Sequence, residues 1–183
     1  MRHLDDNFSE ERYGLHVRFV NETDAEFIVR LRTDPKLSRF LHPTSPDVSL
    51  QQQWITRYRE RQRNGEDFYF MFEKPVGVRA GVCRIYDIEA DSFTIGSWLF
   101  SPEAPAGAAI LADIITRETA FELFPTKSLR FDVRKGNTNV LRYQATFHPT
   151  LLGEDDLNYY YELSHDNFER YKRLHLRMFA LKN

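Results

Sequence analysis

The chain has 183 residues, a formal net charge of −2 at pH 7 and a hydrophobic share of 42%. These values exclude a disordered chain and suit a single domain over residues 1–183, with a loose lead-in at 1–13. Because the sequence has no free-standing basic block, no metal-type histidine spacing and no membrane-length apolar run, we expect no nucleic acid, metal or membrane partner. One cysteine excludes a disulfide framework, and the charged N-terminus, unlike a secretory signal, indicates a cytoplasmic protein.

A strand and two helices are predicted at the start of the chain. Residues 14–20 alternate apolar and polar side chains, which is typical of a strand. Thr23 and Glu26 have the spacing of a capping box, and Ser49 and Gln52 repeat it. We therefore predict one helix from Thr23 and a second from Ser49.

Three runs of β-forming residues follow in close succession, at 68–72, 80–88 and 92–100. Their short separations predict an antiparallel meander. Gly96 interrupts the third run, and an isolated glycine in a strand indicates a bulge or a close backbone approach.

The second half of the chain alternates helices and strands. The predicted elements are a helix opened by Gly107, a strand at 129–133, a helix from Asn137, a strand at 159–163 and a last helix from Ser164. A further short strand is expected near Leu151. A strand, helix and strand around Gly107 imply a parallel crossover, so the fold class is α/β with a mixed sheet and helices on both faces.

The segment before the Gly107 helix consists of small residues, Ala104-Pro105-Ala106-Gly107-Ala108-Ala109. Without bulky side chains, the amides at a helix start can approach an anion, and the helix dipole favours negative charge there. The segment is thus a candidate pyrophosphate site. Close packing of a helix start is the alternative interpretation.

The order of elements from Gly14 to Tyr171 resembles the GNAT superfamily of N-acetyltransferases. The resemblance implies that the bulged fourth strand contacts the pantetheine arm of acetyl-CoA through Trp98, Leu99 and Phe100. It also implies that the small-residue loop binds the pyrophosphate, with Ala104, Ala106, Gly107, Ala108 and Ala109. Ala104 departs from the family pattern, which has Gln or Arg at this point.

The stretch from Asn137 to Phe147 is similar to a second GNAT motif. By this resemblance Asn137 contacts the cofactor arm, and Tyr143 faces the sulfur and acts as the catalytic acid. Phe147-His148-Pro149 stands where Gly-Phe is usual, so the register of Tyr143 is open by one residue. Asn137 can also be a helix cap, and Tyr143 can be a packed aromatic residue.

The acceptor is only partly specified. The regions around His42 and Trp54 resemble GNAT enzymes that acetylate nucleotide-linked amino sugars, which makes these two residues substrate-binding candidates. The alternatives are an N-terminal protein acetyltransferase with a peptide acceptor, a non-catalytic acyl-CoA-binding module and a plain interaction domain. The sequence also leaves open whether the protein forms a homodimer. The proton of the amine could pass to one of four residues, namely His42, Asp87, Glu89 and Asp91.

Overall fold

The computed structural model describes residues 4–180, and for Ala180 only the backbone. All its strands belong to one eight-stranded sheet in the order β1-β2-β3-β4-β5-β6-β8-β7. The strands are β1 Ser9–Arg12, β2 Leu15–Phe19, β3 Phe68–Glu73, β4 Arg79–Tyr86, β5 Ser92–Phe100, β6 Ser128–Arg134, β7 Thr150–Glu154 and β8 Asn158–Leu163. Only β5 and β6 pair in parallel, so the predicted mixed sheet is confirmed.

Five α-helices complete the described chain: α1 Ala25–Thr33, α2 Val48–Arg63, α3 Ala108–Leu123, α4 Thr138–Ala145 and α5 His165–Ala180. One hydrophobic core joins α1 and α2 to one face of the sheet, and a second core joins α3 and α5 to the opposite face. Helix α3 connects the parallel pair of strands, as predicted. No helix between residues 4 and 180 is long and apolar enough to cross a membrane.

The first helices start differently from the prediction. Asn21, rather than Thr23, caps a short 3-10 turn at Glu22–Asp24 that leads into α1. Asp47, rather than Ser49, caps α2, and its carboxylate accepts a hydrogen bond from the Ser49 amide at 2.8 Å. In both cases the side-chain oxygen of a residue two positions earlier accepts a hydrogen bond from the backbone amide of the predicted cap residue.

The lead-in expected at residues 1–13 is wrong for Ser9–Arg12, which pair with β2 as an edge strand. Residues 1–3 lie outside the described residues. The expected short strand near Leu151 is confirmed as β7. Ser164 precedes α5, so the expected last helix is confirmed within one residue.

Candidate active site

A cleft opens in the sheet where β5 and β6 separate. The two strands pair only from Ser92 to Thr94 and from Ser128 to Arg130. Beyond these positions β6 continues along β8, while β5 continues along β4. The cavity between the separated strands has a volume of about 300 Å³. Its lining includes Arg32 of α1 on one face of the sheet and Arg117 of α3 on the other.

The bulge in β5 borders the cleft. Val82 pairs with Leu99 and Arg84 with Gly96, so Cys83 alone lies opposite both Ser97 and Trp98. Ser97 has a φ of 49°, which lies in the left-handed region. The predicted bulge is therefore present, but it follows Gly96 instead of being centred on it. A bulge leaves backbone groups out of the strand ladder, where they are free to bind a ligand.

Gly96 instead leaves room for the Tyr86 side chain, because a Cβ atom at this position would lie 2.7 Å from the Tyr86 hydroxyl oxygen. Of the three β5 residues predicted to bind the cofactor, Trp98 lines the cleft with its side chain. The side chain of Leu99 is buried beneath α1 and α2, and Phe100 packs on Phe72 with ring centres 5.9 Å apart. For Leu99 only the backbone therefore remains for the predicted contact, whereas the Phe100 side chain is partly buried.

The start of α3 is built as an anion site requires. Gly107 caps the helix with a φ of 82°, a conformation that glycine adopts without strain. The Ala108 amide donates to the Pro105 carbonyl and the Leu111 amide to the Gly107 carbonyl. Of the first four helix amides, those of Ala109 and Ile110 are thus left open to a ligand. With no acidic side chain in the first turn, these groups fit a pyrophosphate.

Two neighbours hold this helix start in place. The Trp98 indole Nε1 donates to the Ala109 carbonyl at 2.9 Å and so links the bulge to α3. On the other side, the ring of Phe179 from α5 covers Gly107 so closely that a Cβ atom would lie 2.7 Å from its Cζ. Gly107 is therefore required both by its backbone angle and by this aromatic neighbour. No pattern in the residues around Gly107 indicates the second requirement.

Helix α4 closes one side of the cleft. Asn137 caps this helix, since its side chain accepts a hydrogen bond from the Val140 amide at 3.4 Å, and it also lines the cleft. The interpretation as a cap is confirmed, while its contact with a cofactor stays a prediction. After the helix, His148 has a φ of 52°, the conformation for which a glycine would be expected.

Tyr143 lies in a buried polar cluster behind the cleft. Its hydroxyl donates to the Asp113 carboxylate at 2.6 Å, and Arg117 Nε lies 2.8 Å from the same Asp113 oxygen. Burial, together with the Asp113 carboxylate, raises the pKa of Tyr143 well above its usual value. The cleft is lined by Asp113, Arg117 and Gln144. Among the described residues, Tyr143 does not line it. The catalytic role of Tyr143 stays a prediction.

A second cavity of about 500 Å³ adjoins the cleft on the face of the sheet that α1 and α2 cover. Both substrate-binding candidates, His42 and Trp54, line it. The Arg84 guanidinium lies 5.0 Å from the centre of the Trp54 ring and 4.7 Å from that of Tyr86. Arg84 is also paired with Asp67, so its charge is compensated inside the protein.

Only His42 among the four candidate proton acceptors lines either cavity in the described chain. Asp91 is paired with Arg130 at 2.8 Å. Asp132 of β6, which was not predicted, does line the cleft, and no basic side chain of the described residues pairs with it. Burial and the nearby carboxylates of Asp87 and Asp132 raise the pKa of Tyr86.

Several cleft residues were missed in the sequence. Asp113 and Arg117 are four residues apart on α3, and the residues from Ala108 to Ile115 other than Asp113 are all apolar. A charged residue in an apolar stretch, with an opposite charge four residues later, is unusual because buried charges are costly, and this signal could have identified the pair. Asp132 offers no comparable signal, since an alternating strand places polar residues on its exposed face in any case.

The sheet divides between β5 and β6, and a helix start with open backbone amides lies beside the gap. Residues 15–145 match the family model of the acetyltransferase (GNAT) domain, and the chain belongs to this family. A search of curated proteins finds no match to the sequence.

Three solved structures illustrate the similarity. The apo structure of FdhC, described as a nucleotide-linked sugar GNAT, is 30% identical with a TM-score of 0.82, covering 93% of this chain and 98% of its own. The ribosomal-protein-S5-alanine acetyltransferase of Vibrio fischeri is 16% identical with a TM-score of 0.74, covering 88% and 99%. RimL, a ribosomal L7/L12 acetyltransferase in complex with coenzyme A, is 15% identical with a TM-score of 0.70, covering 86% and 98%. The latter two similarities show the fold alone.

Proposed function

We propose that the chain is an acetyl-CoA-dependent N-acetyltransferase whose acceptor is a primary amine on a nucleotide-linked sugar. One observation carries this proposal: the cleft between β5 and β6 is lined by α3, whose start can bind a phosphate, and it adjoins an aromatic cavity on the other side of the sheet. Such a passage brings a ligand held at α3 and a second ligand held beneath α1 and α2 into contact.

Acetyl-CoA supplies the activated acyl group, so the amine can attack directly without a covalent enzyme intermediate. The open amides of Ala109 and Ile110 would hold its pyrophosphate. Trp98 and Asn137 lie on opposite sides of the cleft and would flank its arm. The backbone groups freed at the Ser97 bulge would donate to the carbonyl oxygen on which charge develops.

The cations around the acceptor side favour a phosphate-bearing acceptor. Arg32 lines both cavities, and its Nε donates to the Thr44 hydroxyl at 2.7 Å. Arg134 lines the cleft and, with Arg39, an adjoining cavity. No carboxylate among residues 4–180 pairs with any of these three arginines. Guanidinium groups without a counter-ion suit a diphosphate, which they can bind in a bidentate manner.

The aromatic lining of the acceptor cavity supports a sugar. Trp54, Tyr69 and Tyr86 surround it, and pockets with aromatic walls and a few polar groups are typical small-molecule sites. The similarity to FdhC, itself a nucleotide-linked sugar GNAT, points the same way. His42 or Asp132 would accept the proton of the amine, because both line the cleft beside this cavity.

The test is an acceptor screen in which acetyl-CoA is supplied and free thiol is measured. The panel contains uridine- and thymidine-diphosphate-linked amino sugars, spermidine, and tetrapeptides with N-terminal alanine or serine. We expect thiol release with an amino sugar and none with the peptides. Release only with a peptide would instead identify an N-terminal acetyltransferase. A rise in melting temperature with acetyl-CoA but no thiol release would identify a binding module.

A further inference from the structure

Gln144, near the end of α4, has an amide group whose orientation is fixed by its neighbour. The Arg117 Nη2 donates to the Gln144 Oε1 at 2.8 Å. An arginine side chain has donors and no acceptor, so the atom that it contacts must be the amide oxygen. The NH₂ group of Gln144 is consequently directed away from Arg117.

This NH₂ group is available to a ligand. Gln144 lines the cleft and retains 8% of its surface exposed. No acceptor for its NH₂ group is found in the described part of the chain. Its nitrogen is not among the fully buried polar atoms that lack a partner in the described chain, so it is accessible from the cleft, where a ligand could accept its hydrogen bond in place of water.

Arg117 is itself held firmly. It is 1% exposed, it is paired with Asp113, and its guanidinium carbon lies 4.6 Å from the centre of the Phe147 ring. Tyr143 donates to the same carboxylate, so its hydroxyl proton is already engaged. Gln144 is therefore the α4 side chain in this cluster with a donor left for the cleft.

The position of the cluster along α3 indicates which part of a ligand would meet it. Arg117 follows Gly107 by ten residues, which at 1.5 Å per residue is about 15 Å of helix. A ligand with its pyrophosphate at the helix start would extend along the cleft toward the acceptor cavity. Its reactive end, rather than its phosphates, would lie at the level of Gln144.

We propose that the NH₂ group of Gln144 donates a hydrogen bond to the sulfur of the leaving group, with Arg117 as the positioning residue; this rests on the proposed function. The amine nitrogen forms a bond to the carbonyl carbon and its proton passes to His42 or Asp132, while the carbon–sulfur bond breaks and its electron pair stays on sulfur. Gln144 stabilises the resulting thiolate without losing a proton. The thiolate takes its proton from solvent.

Gln144→Glu tests this role with little change in shape. A glutamate still accepts the hydrogen bond from Arg117 but lacks the NH₂ group. The first measurement is the pKa of the CoA thiol in the binary complex, followed by thiolate absorbance. A donor to the thiolate lowers this pKa below the value of about 8.5 for a free thiol. We expect Gln144→Glu to raise it by at least one unit, a tenfold shift.

The second measurement is kcat with the amino sugar that the acceptor screen identifies. A hydrogen bond to a charged group is worth about 10- to 150-fold, and kcat should fall by this factor. Gln144→Met, which is neutral and similar in length, should give the same rise in thiol pKa and the same fall in kcat. An effect of Gln144→Glu alone would come from its added negative charge and would overturn the proposed hydrogen bond. Gln52→Glu makes the same chemical change on the exposed side of α2 and should alter neither measurement.

The outcomes separate this inference from the proposed function. If the parent protein is active and Gln144→Glu changes neither the thiol pKa nor kcat, the role of Gln144 is wrong and the proposed function stands. If the parent protein neither binds CoA nor releases thiol with any acceptor, both are wrong. A raised thiol pKa with a lowered kcat in both Gln144→Glu and Gln144→Met supports both.

Discussion

The contact between Gly107 and Phe179 can be measured as a coupling energy. Alanine at position 107 must adopt a left-handed backbone, which costs about 1–2 kcal/mol for a residue with a Cβ atom. It must also displace the Phe179 ring, whose Cζ would lie 2.7 Å from the new atom. Full burial of a phenylalanine contributes about 1.5–3 kcal/mol, so losing a half-buried ring costs about 1 kcal/mol. We expect Gly107→Ala to destabilise the protein by about 2–3 kcal/mol.

The double variant isolates the contact. Phe179→Ala alone should cost about 1 kcal/mol, but almost nothing when Gly107→Ala has already displaced the ring. The two changes should therefore couple by about 1 kcal/mol. The free energy of unfolding is obtained from urea titrations, with the m-value checked for each variant.

Gly77 provides a matched control. Its φ of 85° is close to that of Gly107, but a Cβ atom there would meet nothing within 4 Å. Gly77→Ala should cost only the backbone term of about 1–2 kcal/mol and should add to Phe179→Ala without coupling. Strict additivity of Gly107→Ala and Phe179→Ala would refute the contact. In that case, any effect of Gly107→Ala on the rise in melting temperature with CoA would come from the loop before α3 and not from Phe179.

Three further substitutions test named roles. Tyr143→Phe should lower the free energy of unfolding by about 1–3 kcal/mol, because Asp113 loses a donor; a general-acid role adds a fall in kcat of about 10²-fold or more, and an unchanged kcat removes Tyr143 from the chemistry. Asp132→Asn should lower kcat by about 10²-fold or more in the thiol-release assay, whereas unchanged turnover would assign the proton to His42. Ala104→Arg should tighten CoA binding by about 1–3 kcal/mol in calorimetry, and unchanged affinity would place the pyrophosphate elsewhere.

The features that could be predicted depend on short stretches of sequence. The parallel crossover, the β4–β5 meander and the glycine at the start of α3 follow from periodicity and from the spacing of small residues. The bulge in β5 was predicted in the correct strand. Its position after Gly96 could not be, because it depends on Cys83 of the neighbouring strand lying opposite two residues.

The features that could not be predicted depend on distant contacts. Tyr143 and Gln144 are adjacent on an eight-residue helix, and its amphipathic pattern does not decide which of them faces the cleft. Two residues of α3 determine these orientations. Asp113 accepts a hydrogen bond from the Tyr143 hydroxyl, and Arg117 donates one to the Gln144 side chain. Likewise, Phe179 reaches Gly107 from the far end of α5, beyond the stretch on which the family resemblance rests.

The alternation of side chains along the strands explains why transfer would occur at the separation of β5 and β6. Thr94 pairs with Arg130, so Gly96 and Asp132, two residues further along, point to the face that carries the acceptor cavity. Phe131 points to the opposite face, toward the core of α3. An amine would enter past Asp132, over a glycine whose missing side chain leaves room for Tyr86. The leaving sulfur would lie on the α3 side, near Gln144. The gap between the strands is thus a place where ligands on the two faces can meet, and the direct attack that we propose needs both ligands there.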